Sequence, residues 1–551
     1  MNTRVAVYNQ AATTKIQRVG KRLSQAQVLL LTSIFVACVF NFPFLKAVFT
    51  ALSPDTLWGW LFMLSVPVLL TALLVIFFSI FGALFFTRTV LAVNILVSSL
   101  LCYGTLVYGV LFDRGMIQNV METDSGEAFS YLNVSFIVFF LGLGLFPVFA
   151  LLSQKVKGAF TTNLKGLLKL NLLAVLTIAL IAGLFYKDYA SVGRNNRSLT
   201  KYITPLAFYD SGYKYLRDTY LYPPLPFRVL DNHPTVAAPF ADLPSTLVVV
   251  VGETARADKF GLNGYARQTN PELDSMNVVS FQDVSSCGTA TAVSVPCMFS
   301  RQNRDKYDNR ITSSQDNVLD LIQRAGYQVQ WIDNNSSCKG VCTRIKETPF
   351  DPKRNPSYCD GDFCYDAILL KQLSEALAKQ STDSKNVIVL HTIGSHGPTY
   401  YRRYPREFAQ FSPDCPRSDI QNCDNQQLIN TYDNTILYTD HILAGVIREI
   451  AHLPNAAMLY ISDHGESLGE KGLYLHGFPY NLAPEEQTKV PMVYWSSSLN
   501  DPHYRDCINQ KASGPVSQDN LFDSLLGLTH IESKVYQPEM DVFSSCNTQT
   551  L

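Results

Sequence analysis

Five long apolar runs crowd the first third of this 551-residue chain, at 28–52, 57–81, 90–111, 134–152 and 170–186. Each is close to the roughly 20 residues that an α-helix needs to cross a bilayer. None has a polar face to give to water, so a soluble core could not absorb them all. The first run is too long for a cleaved leader. It lacks a small-residue cleavage site and is followed at once by further runs. Residues 1–186 are therefore expected to form a bundle of five transmembrane helices.

Charge orients the bundle, since Lys and Arg gather on the cytoplasmic side. Arg4, Lys15, Arg18, Lys21 and Arg22 precede the first run, and Lys155, Lys157, Lys165 and Lys169 lie between the fourth and fifth. The loop 113–133 is net acidic and is expected to face outward. With five crossings, everything after Tyr186 is expected outside the cytoplasm. Cysteine use points the same way. Cys38 and Cys102 fall in apolar runs and read as packing residues. The other ten all follow the last run. They form tight pairs: Cys287 with Cys297, Cys338 with Cys342, Cys359 with Cys364, Cys415 with Cys423. Cys507 and Cys546 remain to pair by elimination. Such usage fits an oxidising compartment. A zinc ribbon is the rival reading, but no second CxxC accompanies these pairs. The net charge of −1 gives no reason to expect a nucleic-acid partner.

Residues 187–243 read as a connector at the membrane surface, rich in Tyr, Pro and Arg, with extended chain at 220–227. From 244 to 551 short apolar runs alternate with helical spacing. Runs at 246–251, 329–332, 386–390, 457–462 and 491–495 read as buried strands, with helices at 317–325, 365–379 and 433–450. The alternation predicts an α/β domain around a mostly parallel sheet, whose ligands bind at the carboxyl ends of strands.

Three of those ends carry metal-ligand chemistry. Glu253 follows the first strand, His391 and His396 the third, Asp463, His464 and Glu466 the fourth, and His476 comes 12 residues after His464. Carboxylate and imidazole are zinc ligands where thiolate is absent. Asp463 and His464 can share a pocket only where the strand breaks, and Gly465 is expected to supply the break. A single Glu or His after a strand is ordinarily a solvated or satisfied polar group; the convergence of three ends is what points to a metal. The segment SSCGTATAVSVPCMFSR (285–301) packs hydroxyls between two cysteines. A helix opening at Thr291 would favour an anionic phosphate, and a metal would activate the hydroxyl as nucleophile.

The strings VVVVGETARADKFGLNGYARQTNP, SSCGTATAVSVPCMFSR, DNNSSCKGVC, VLHTIGSHGPTYYRRYP, NTYDNTILYTD and YISDHGESLGEKGLYLHG resemble lipid A phosphoethanolamine transferases. That family includes the mobile colistin-resistance enzymes and falls within the alkaline phosphatase superfamily. The likeness spans nearly the whole chain. It implies an alkaline phosphatase/sulfatase-type α/β sandwich behind the membrane helices. It also implies Thr291 as nucleophile and Glu253, Thr291, Asp463 and His464 as principal zinc ligands. His396 and His476 are implied to bind a second zinc or the phosphoryl group. Asn335, Lys339 and Glu466 are implied contacts of phosphoethanolamine, and Asn119, Thr123 and Glu127 in the outward loop match a family segment near the lipid site, which implies substrate binding. The family's disulfides agree with the pairs above.

The implied reaction uses one or two Zn2+. It moves phosphoethanolamine from phosphatidylethanolamine to lipid A through a phosphothreonine, at the periplasmic face of a Gram-negative inner membrane. Polymyxin or colistin resistance follows from the lost negative charge, and a monomer is expected. Kdo or core sugars are alternative acceptors. A membrane-tethered phosphodiesterase is an alternative activity. A sulfatase would need C-x-P-x-R, which is absent. A non-enzymatic ectodomain would be expected to have lost a ligand, and none is missing.

Overall fold

The computed structural model describes residues 23–546 apart from 83–85, 124–127, 130, 155–159, 349–351, 361–362 and 382. Glu127, the basic residues before the first run, Lys155 and Lys157 lie outside the described residues.

Among the described residues four helices are long and apolar enough to cross a membrane: Leu57–Ile80, Thr87–Tyr108, Val134–Ser153 and Thr161–Asn195. The first expected span is two helices, Gln25–Phe40 and Phe42–Leu52, bent by 58°, so that a fifth span exists only if the pair counts as one. The bend has a chemical cause. Asn41 is buried and donates to the carbonyls of Val36 at 2.9 Å and Thr204 at 2.7 Å, while accepting the Thr204 amide at 2.8 Å. Pro43, which has no amide to continue the ladder, follows it.

The connector is more ordered than its composition suggests. The last membrane helix continues to Asn195, past the expected boundary at 186, and Leu206–Leu216 forms another helix. Beyond it, the Tyr222 ring lies under the guanidinium groups of Arg217 and Arg310, at 5.1 and 4.6 Å. The Arg310 pair ties the connector to the C-terminal domain.

The C-terminal domain is organised by a seven-stranded sheet. Its strands are β1 (Ser245–Gly252), β2 (Val279–Phe281), β3 (Gln328–Asp333), β4 (Lys346–Thr348), β5 (Lys385–His391), β6 (Ala456–Ser462) and β7 (Met492–Ser496). The spatial order is β2-β7-β6-β1-β5-β3-β4. From β6 to β4 the neighbours are parallel; β7 and β2 are antiparallel additions. All five expected strands are present. The run of valines in β1 forms a strand because both faces are covered. Leu247, Val249 and Val251 enter one core, Val248 and Val250 the other. Each fully buried valine contributes about 1.5–3 kcal/mol. The second core is closed by the helix Asn425–Ile450, which starts eight residues earlier than its apolar spacing indicated.

Disulfides join Cys287 to Cys297, Cys338 to Cys342, Cys359 to Cys364, Cys415 to Cys423 and Cys507 to Cys546. Cys38 and Cys102 are free.

Candidate active site

The sheet order brings the three ligand-bearing strands together as β6-β1-β5, with Gly252 opposite Ser462 and Val251 opposite His391. Glu253 leaves the end of β1 and Asp463 and His464 leave the end of β6, all three almost fully buried. His464 Nδ1 lies 2.9 Å from the Gly465 carbonyl, which can only accept, so the proton sits on Nδ1 and the Nε2 lone pair faces the site. Asp463 Oδ1 accepts the amides of Thr254 at 3.1 Å and His464 at 2.7 Å. Its other oxygen, Oδ2, is buried, makes no hydrogen bond and lies 3.3 Å from His464 Nε2. Glu253 Oε1 lies 3.6 Å from the same nitrogen. Three acceptors facing one another in a dry site are unfavourable unless a cation sits between them. This donor set fits a zinc-type ion.

Thr291 opens the helix Thr291–Met298 directly beside this cluster. Its hydroxyl donates to Glu253 Oε2 at 3.1 Å and stands 3.4 Å from His464 Nε2. Among the described residues no side chain caps the helix; the Val293 and Ser294 amides close on the Ala290 carbonyl, which leaves those of Thr291 and Ala292 to an anion.

A second group of side chains covers the first. The His476 ring lies 4.5 Å from that of His464 and 5.3 Å from that of His396, centroid to centroid. His396 and His476 stand outside the tight carboxylate–imidazole cluster. Glu466 is fully buried and approaches His476 Nδ1 at 3.3 Å, so it acts on that imidazole. Burial, and then the charges of His476 and Arg403, hold the His396 imidazole well below its usual pKa. Burial also lowers His464, outweighing the opposing pull of Asp463. Both rings are therefore neutral at ordinary pH, as metal ligands must be.

Asn335 and Lys339 come from the loop after β3. Asn335 donates to Glu253 Oε2 at 2.8 Å. The Lys339 ammonium is buried, donates to Ser336 Oγ at 2.8 Å and lies 4.0 Å from Glu122. Asn119 and Thr123 are farther out. With Tyr103, Tyr108 and Met116 they line an apolar cavity of about 250 Å3 that His476 closes from the catalytic side.

Two glycines permit the approach of these loops. Gly394 has φ +47°, and a Cβ there would stand 2.6 Å from the Glu253 carbonyl. Gly465 is not in a left-handed conformation; its missing side chain instead makes room for the Glu486 backbone. Sequence reasoning missed the buried braces behind the site. Gln518 donates to the carbonyls of Ser462 and Asp463 at 2.7 and 2.8 Å and accepts the Cys287 amide at 2.6 Å. It thereby ties the Asp463–His464 turn to the loop that carries Thr291. Asp366 accepts the amides of Ile393 and Gly394, each at 2.9 Å, and shapes the His396 loop. Neither residue follows one of the strands expected from the sequence or sits in a spaced motif that would have singled it out.

Residues 245–531 match the sulfatase family, and residues 70–220 match the phosphoethanolamine transferase EptA/EptB family. The chain is 41% identical over 534 residues to phosphoethanolamine transferase EptA of Escherichia coli (strain K12), covering 94% of this chain and 96% of that one. It belongs to the phosphoethanolamine transferases. Within that family it is also 39% identical over 425 residues to phosphatidylethanolamine transferase Mcr-1 of Escherichia coli, covering 74% of this chain and 78% of that one. Its fold matches the integral membrane protein lipooligosaccharide phosphoethanolamine transferase A of Neisseria meningitidis with a TM-score of 0.90 and 37% identity. That match covers 95% of this chain and 99% of the other. The transferase is thus an enzyme with a sulfatase-type catalytic domain joined to apolar membrane helices.

Proposed function

We propose that this transferase moves phosphoethanolamine from phosphatidylethanolamine to lipid A through a phosphothreonine on Thr291, with zinc held by Glu253, Asp463 and His464. The observation that carries the reading is Thr291 Oγ1, at a helix N-terminus, against a buried cluster of acceptors that calls for a cation. Bound there, zinc would lower the pKa of the Thr291 hydroxyl and polarise the phosphoryl oxygens.

In the first step Thr291 Oγ1 forms a bond to phosphorus and the bond from phosphorus to the diacylglycerol oxygen breaks. Glu253 orients the hydroxyl. Lys339 and the amides of Thr291 and Ala292 offset negative charge in the transition state. The proton lost from Thr291 Oγ1 is balanced by one that His476, steadied by Glu466, delivers to the leaving diacylglycerol oxygen, and the acceptor's proton returns to Oγ1 in the second step. In the second step a lipid A oxygen takes the phosphoryl group and the bond to Thr291 breaks, restoring the hydroxyl. Asn119 and Thr123 place donor and acceptor headgroups beneath the apolar cavity, and Glu127 is assigned to the same task. A His396 and His476 pair holding a second zinc is compatible with their separation.

The proposed setting is a Gram-negative inner membrane, with residues 1–186 spanning it and residues 244–551 in the periplasm. The five disulfides support that placement. The positive charge added to lipid A would weaken binding of cationic polymyxins. The test is mass spectrometry of lipid A from cells with and without the chain. A phosphoethanolamine increment on lipid A is expected; an increment only on Kdo or core sugars, or free phosphoethanolamine alone, would overturn the acceptor assignment.

A further inference from the structure

Thr254 follows the ligand Glu253 directly and has φ +52°. A β-branched residue rarely adopts this left-handed conformation. Its side chain gains nothing from the pose, since Thr254 Oγ1 is buried without a hydrogen-bond partner. The backbone does gain. In this conformation the Thr254 amide reaches Asp463 Oδ1 at 3.1 Å. The next amide, of Ala255, reaches Ser462 Oγ at 2.9 Å. One strained residue thus aims Glu253 at the site and orients the carboxylate of Asp463.

What holds it there comes from the helix Asn425–Ile450, in the NTYDNTILYTD motif that the reaction does not use. The Tyr432 hydroxyl donates to the Thr254 carbonyl at 2.6 Å and accepts the Arg256 amide at 3.1 Å. These two bonds span the turn from either side of Ala255. The phenol is fully buried, and its ring packs edge-on against Tyr400 at 5.6 Å. Its position is therefore set by the core and independent of the turn it grips.

We propose that Tyr432 is a positioning residue for the metal site, its hydroxyl holding Thr254 in the left-handed conformation that presents Glu253 and Asp463. It touches neither substrate nor metal. It rests on the metal-assisted reading above; loss of activity in Asp463→Ala tests that reading separately from the clamp.

The experiment compares Tyr432→Phe, Thr254→Gly and the double variant in the full-length protein, with phosphatidylethanolamine in mixed micelles as donor and zinc added by titration. Glycine adopts positive φ without strain, so it removes the need for the clamp. For Tyr432→Phe, kcat should fall about tenfold to a hundredfold, the scale of strain at such a residue. KM for the donor should stay within about twofold, because no substrate contact is lost. Half-saturation should need more zinc. The double variant should regain most of the rate and the zinc affinity. Wild-type kcat and zinc affinity in Tyr432→Phe would overturn the proposal, and so would a double variant as impaired as Tyr432→Phe. Should Tyr432→Phe fail to accumulate, recovery of folded, active protein in the double variant supports the clamp. Failure of both variants to accumulate assigns Tyr432 to core packing alone and overturns it.

Discussion

The Thr291 hydroxyl donates to the Glu253 carboxylate at 3.1 Å, although the two residues lie 38 positions apart and on different elements. The bond joins the proposed nucleophile to a proposed metal ligand.

Thr291→Ala is expected to lower transfer on the order of a thousandfold or more, as loss of a nucleophile does elsewhere, while leaving the fold intact. A wild-type protein quenched with donor alone should carry phosphoethanolamine on the peptide containing Thr291. A folded Thr291→Ala protein with near-normal transfer would refute the covalent route.

Glu253→Ala, Asp463→Ala and His464→Ala should each lose zinc and activity together, because each removes one of few ligands. His396→Ala and His476→Ala should retain more zinc than activity, losing about 10- to 100-fold in rate. Metal analysis beside activity separates the two groups. Full activity after exhaustive chelation would contradict the assignment.

The acid limit follows from His464 and His396. Burial lowers both from the usual 6.5 in the folded chain. An unfolded imidazole binds a proton below that value while the folded ones stay neutral. Stability of the zinc-free protein is therefore full above pH 6.5 and falls as pH drops below it. Zinc and protons compete for His464, so zinc should remain bound at pH 6.5 and be lost further down. Zinc release already above pH 6.5 would show that the rings titrate as if exposed.

The Cys415–Cys423 loop lies in a polar stretch that suggests a purely stabilising disulfide, yet it touches the membrane half. Asn422 in this loop donates to Ser135 Oγ at 3.1 Å, at the start of the helix that follows Asn133. Asn133 in turn bonds Tyr103 and Tyr108 of the apolar cavity. Paired Cys415→Ser and Cys423→Ser changes should reduce transfer from phosphatidylethanolamine more than cleavage of a water-soluble phosphoethanolamine ester. Equal losses on both substrates would make the loop a stability element only. Thiol counting on the unfolded, unreduced wild type should find two free thiols, Cys38 and Cys102.

The parts of this molecule that are local in sequence were readable from it. The valines of β1 declare a strand covered on both faces, and Glu253, Asp463 and His464 stand where such strands end. Asn41 was not readable as a hinge, because its partner Thr204 lies 163 residues away. Gln518 and Tyr432 were equally hidden: a buried amide or phenol shows its purpose only once the backbone groups it serves have been brought beside it. Gly465 stands at the expected strand break, but the neighbour that demands its small size, the Glu486 backbone, lies 21 residues on and was not readable.

The apolar cavity takes its walls from a membrane helix on one side and from His476 on the other. Under the proposed reaction, donor and acceptor approach by lateral diffusion and neither has to leave its leaflet. Turnover would then respond to the mole fraction of each lipid in the surface. Adding inert detergent or neutral lipid should slow the enzyme at constant total substrate, and a catalytic domain cut from its helices would confront the same lipids as a stranger in bulk water.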